Sequence, residues 1–302
     1  MERIAWIDAL RGFAVFFMIF THLINVLSVH SIYTDPPYYS RFLDTPLPFI
    51  PSPPILFTFI SGMCVYISMR KRNFSFKGWI HIVKRYGSYI LLSLLFTSFV
   101  FGFGTFLGWN EAIQGIGLTA IFFAALLLLP DVVLAIIAIS LAIVNQFVWF
   151  ECNSVACAPF FGGFFSVANL LPIMIAGYLF FKRKVDGRYG FILIFIALLL
   201  HLAGIPISYF QRTANYKLFA IGMAMVFAYM IQAKPLRILQ NFGRLSVIPY
   251  VLHFVLIYEP IETLGIKMPD IYAVPLAFLL TLGVYGLTVV LLKIFKVKEE
   301  RK

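Results

Sequence analysis

Apolar residues in this chain fall in long unbroken runs, separated by short stretches rich in Pro, Gly, Lys and Arg. About 20 continuous apolar residues make a helix long enough to cross a bilayer, whereas strands of a membrane barrel alternate in polarity. Hydropathy and breaker residues predict helices over 9–29, 54–70, 80–102, 111–129, 132–150, 164–182, 189–206, 215–233, 238–258 and 272–294. The pattern thus predicts an all-α polytopic membrane protein with about ten transmembrane helices, organised as one domain over 1–302. The fourth and fifth segments are divided only by Pro130 and Asp131. Asp8 and Arg11 interrupt the first run, and no small-residue cleavage site follows it, so it reads as a permanent helix.

Composition narrows the class. Of 302 residues, 61% are apolar and 12% charged, and the mean hydropathy is +0.92, which excludes a water-soluble globular fold. The 18% aromatic content excludes disorder. The net charge of +11 tests the orientation, because cytoplasmic loops collect Lys and Arg. With the N-terminus inside, only Arg41, Arg212, Lys217 and Lys267 of the 24 basic residues fall outside. Both termini are therefore expected in the cytoplasm, with the chain in the cell membrane. The positive charge then marks topology and contact with anionic lipid heads, and gives no nucleic-acid partner.

The connection from His30 to Pro53 is long and proline-rich, which predicts either an extended rim or lid on the outer side or a passive linker. Cys152 and Cys157 share one outer loop and are candidates for a short disulfide, whereas Cys64 lies inside the second helix. No His-rich cluster accompanies these thiols, so no metal is expected.

Ionisable groups inside hydrocarbon cost several kcal/mol, and are kept where they face a cavity or one another. Arg11 and His22 are eleven positions apart on the first helix, about three turns, so they share a face with a rise of about 16 Å. Asn25 continues the stripe. In the ninth segment Ser246, Tyr250 and His253 recur at i, i+4 and i+7, and the outward run of that helix predicts His253 at the depth of His22. Pro249 is expected to kink it. Ser61 and Gly62 put a hydroxyl and a close-packing position on the second helix. The structural alternative is an Asp8–Arg11 pair anchoring the first helix and histidines satisfied within the bundle, and His201 reads as structural. On the inner side Arg70, Lys71, Arg72, Lys77, Lys84 and Arg85 cluster around the second inner loop as a basic patch suited to a polyphosphate, although the positive-inside rule alone would also produce one.

Taken together, Arg11-Gly12 with His22, Phe59-Ile-Ser-Gly62, Ala112-Ile-Gln-Gly-Ile-Gly-Leu118 and Gly243 to His253 resemble the signatures of the transmembrane acyltransferase superfamily, which includes the acyltransferase-3 and heparan-α-glucosaminide N-acetyltransferase-like proteins. The resemblance implies transfer of an acyl group, usually acetyl, from cytoplasmic acetyl-CoA to a hydroxyl or amine of an acceptor at the outer face, commonly a sugar. It implies His22 as the catalytic histidine and Arg11 as its partner on the donor side, with His253, Tyr250, Asn25 or Ser61 orienting the ring or stabilising the oxyanion. Arg11, Arg70, Arg72, Lys84, Arg85 and Arg244 would hold the CoA phosphates. The chain departs from the acyltransferase-3 pattern at His81-Ile-Val-Lys84-Arg85, where that family has two arginines three apart. In the lysosomal branch Asn occupies the His22 position and the catalytic His comes about three turns later, where this chain has Tyr33 and, nearby, His30, so both histidines stay candidates. A transporter or flippase using the same polar track is the competing class.

Overall fold

Helices account for nearly every position that can be placed in the computed structural model, which describes residues 4–29, 53–101, 112–147, 160, 165–205, 207, 213–244 and 246–294. They are α1 (Ala5–Leu27), α2 (Pro53–Arg70), α3 (Phe76–Phe101), α4 (Ala112–Leu126), α5 (Asp131–Phe147), α6 (Val167–Lys182), α7 (Tyr189–Leu202), α8 (Ala214–Ala233), α9 (Arg237–Arg244), α10 (Val247–His253) and α11 (Asp270–Ile294). Beyond His253, α10 continues through a π turn, Phe254–Tyr258, and a last turn, Glu259–Thr263. Nine of the ten predicted segments each overlap one of these helices, and the ninth, 238–258, falls on two. Residues 30–52 of the connection before α2, His30 among them, and the Cys152–Cys157 pair lie outside the described residues.

Among the described residues, four helices are long and apolar enough to cross a membrane: α1, α2, α8 and α11. A fifth is obtained if α9 and the run Val247–Thr263 are one bent span. Four more, α4 to α7, are apolar but only 14 to 17 residues long, about 21–26 Å at 1.5 Å per residue against a hydrocarbon core of about 30 Å.

The ninth predicted segment is not one helix kinked at Pro249. α9 ends at Arg244 and the next helix starts at Val247, and α9 and the run Val247–Thr263 are inclined by 82°. Pro249 sits in the first turn of α10, where its missing N–H has no helical partner to lose, so it starts the helix well and bends nothing. The stretch 237–244 is a short amphipathic helix, and the apolar run proper extends to Thr263.

Contacts divide the chain into two compact units, Met1–Pro53 with Phe227–Lys302, and Pro54–Val226. In the first, α1 is the central helix. Its buried face carries Leu10, Ala14, Val15, Ile19 and Leu23, and Phe13 and Phe16 meet Phe227 and Phe278 at ring distances of 4.6 and 5.9 Å. α1 and α9 cross at two glycines. A Cβ on Gly12 would lie 1.8 Å from the Leu239 carbonyl oxygen, and one on Gly243 1.9 Å from that of Asp8. At the far end α1 is clipped by backbone bonds, Met268 N–H to Leu27 C=O at 2.8 Å and Val29 N–H to Met268 C=O at 3.1 Å. The Ser28 hydroxyl also bonds the Asp270 carboxylate at the start of α11.

The second unit repeats the device. A Cβ on Gly62 would sit 1.9 Å from the Met174 carbonyl oxygen and one on Gly177 2.0 Å from that of Phe59, so α2 and α6 touch backbone to backbone. Tyr66, Phe123 and Tyr178 fill the adjoining core. Tyr178 also donates to Asp131 at 2.5 Å, and Lys182 and Arg183 pair with the same carboxylate at 2.6 and 2.5 Å. The acid at the start of α5 and the cations at the end of α6 thus each suit the helix dipole they sit on.

Candidate active site

Five residues before its end, α1 presents His22, and the first two turns of α10 present Tyr250 and His253. The imidazoles meet: His22 Nδ1 is 3.0 Å from His253 Nε2, with the rings stacked at 5.3 Å and 23°. His253 is fully buried, and its Nδ1 lies 3.2 Å from the Pro249 carbonyl oxygen, one turn back on its own helix. Phe254 and Tyr258 close on His22 edge-on at 5.4 and 6.2 Å, and Tyr250 packs on His253 at 5.6 Å. An aromatic wall of this kind raises the strength of every polar contact inside it by lowering the local dielectric. Asn25, half-buried, follows His22 by three residues on α1, and Ser246 is half-buried at the start of α10.

Arg11 lies about 16 Å back along α1. Its Nη1 donates to Asp8 Oδ1 at 3.1 Å and to the Gly243 carbonyl at 3.4 Å, at the glycine crossing of α1 and α9. The guanidinium therefore makes the Asp8 pair that the structural alternative expects, and it also faces α9. Glycine at 243 is what lets the backbone come that near.

Ser61, Arg70, Arg72, Lys84 and Arg85 belong to the second unit. Ser61 is half-buried on α2 beside the contact glycine, and Arg70, Lys84 and Arg85 are exposed. Arg72 is engaged locally, its Nη1 3.1 Å from both the carbonyl and the hydroxyl of Ser68. Arg244 is exposed at the end of α9. Within the 183–188 connection Arg188 bonds Asp186, which holds that carboxyl below the usual carboxylate range. His201 accepts the Ile207 N–H at 3.3 Å and so closes the turn after α7.

Sequence reasoning treated Lys217 as one more outer-face charge. It is 2% exposed, with Nζ 3.3 Å from Asn169 Oδ1, which also accepts from Asn145 at 3.0 Å. Only the polar company of Asn169 and Asn145 at neighbouring helix ends could have signalled it. Among the described residues no group of three or more His, Cys, Asp or Glu side chains is placed to hold a metal ion.

Comparison with protein families gives a match to the model described as heparan-alpha-glucosaminide N-acetyltransferase, catalytic, over residues 3–255. No curated protein and no solved structure matches the chain. The matched stretch contains Arg11, His22, Tyr250 and His253.

Proposed function

The chain belongs to the heparan-alpha-glucosaminide N-acetyltransferase catalytic family, and on that premise we propose that it is an integral membrane acyltransferase moving acetyl from cytoplasmic acetyl-CoA to a hydroxyl or amine of a sugar acceptor at the outer face. The observation that carries this reading is the His22–His253 pair, enclosed by aromatic rings within the matched stretch. His22 acts as general base on the acceptor. A thioester donor is already activated, so what this chain must add is a lone pair, a dry enclosure and a means of holding the donor. Within the first unit, the exposed Arg244 at the end of α9 and Arg11 at the inner part of α1 supply charge for the donor's phosphates.

The test is acetyl transfer from labelled acetyl-CoA by purified protein in proteoliposomes. His22→Ala should cut the rate by about 10²–10⁴-fold while leaving the melting transition near that of the parent protein. Wild-type turnover in that variant would overturn the assignment. Solute flux across sealed vesicles without acetyl-CoA would instead make the protein a transporter.

A further inference from the structure

We infer that the Pro249 carbonyl, acting through His253, fixes the tautomer of His22 and leaves its Nε2 as the one ring atom able to take the acceptor's proton. The inference rests on the reading of His22 as the base. It starts from a one-way group: a carbonyl oxygen only accepts, so His253 Nδ1, 3.2 Å from it, carries the hydrogen. A neutral imidazole carries one N–H, so His253 Nε2 holds a lone pair. That lone pair faces His22 Nδ1 at 3.0 Å. Two lone pairs at such a distance repel, and a bond forms only if His22 Nδ1 carries the hydrogen. His22 Nε2 is then bare.

The chain of bonds also has a use during turnover. When the acceptor's proton arrives on His22 Nε2, the charge on the ring is stabilised by the Nδ1–H···Nε2 bond to His253. The proton can pass along that bond without any atom leaving the pair. His253 thereby acts as a positioning residue, through His22 rather than on the acceptor. Its place follows from the helix and from the rings around it: Pro249 lies one turn before it on α10, and Tyr250 and Phe254 pack on its ring.

The experiment uses full-length protein, ¹⁵N-labelled at histidine and reconstituted in lipid nanodiscs, with the His22 signals assigned by their loss in His22→Ala. The expected spectrum has His22 Nδ1 protonated and Nε2 bare. The opposite tautomer, or an even mixture, in the parent protein overturns the inference whether or not any variant folds. Two variants extend it. His253→Leu removes the acceptor and should mix the His22 tautomers, lowering kcat on the order of 100-fold with KM for acetyl-CoA little changed. His253→Gln, whose carbonyl accepts from Nδ1–H, should restore most of both. A folded His253→Leu protein with the parent tautomer and kcat refutes the role. The spectrum needs no turnover, so an inactive protein with the expected tautomer would count against the acyltransferase reading and leave this inference standing.

Discussion

Arg11 is held between opposing demands. Its guanidinium is 3.1 Å from Asp8 and shares the Gly243 carbonyl, so part of its donor capacity is already used. Should it also attract the donor's phosphates, Asp8 works against it. Asp8→Asn is then expected to lower the KM for acetyl-CoA severalfold, and Arg11→Gln to raise it about tenfold, the scale of one lost charge-assisted bond. Steady-state kinetics on both variants checks this. His22 and His253 were legible in the sequence because a histidine in an apolar run is costly and each sits on a spaced polar stripe. Lys217 was not: a lysine near a helix start looks identical to one that snorkels to the headgroups, and only tertiary neighbours distinguish the two.

At the level of helices, the contacts that matter are made by what is missing from a side chain. Gly12 with Gly243, and Gly62 with Gly177, bring backbones together at distances no Cβ tolerates. Gly243→Ala should therefore destabilise the first unit by about 1–3 kcal/mol or more, and, because it shifts α9 against α1, lower transfer activity even where the protein still assembles. Thermal melting in detergent with activity on the same samples separates the two effects. Asp131→Ala removes the acceptor shared by Tyr178, Lys182 and Arg183, and should cost about 1–2 kcal/mol, most of it from the Tyr178 bond, since the two cations are largely solvated. The break between α9 and α10 escaped the sequence because a hydropathy window averages across it. Pro249, the visible breaker, stands where a proline is harmless.

For the whole molecule, helix positions were readable in the sequence, and the expected ten crossings turn on the helices that are apolar but short. The shorter helices are apolar all round, as Tyr189–Leu202 shows, and length, the property that decides a crossing, depends on how flanking residues and bilayer thickness adjust. The expected orientation can be tested directly. With the three native cysteines replaced by serine, a single cysteine at Lys71 or Lys184 should react with an impermeant maleimide only after permeabilisation, and one at Leu264 in intact cells; all three side chains are exposed. Reaction of Lys71→Cys in intact cells would reverse the assignment.

The first unit is assembled from the two ends of the chain, and His22 and His253 are 231 positions apart. During synthesis at about 5–20 residues per second, the first histidine waits about 10–50 s at the translocon before its partner leaves the ribosome. Through that interval Arg11 and His22 are in the membrane without the Gly243 carbonyl and the His253 ring that receive them in the finished protein. Slow translation of the intervening residues would prolong the time these two ionisable groups spend in an apolar segment without their partners.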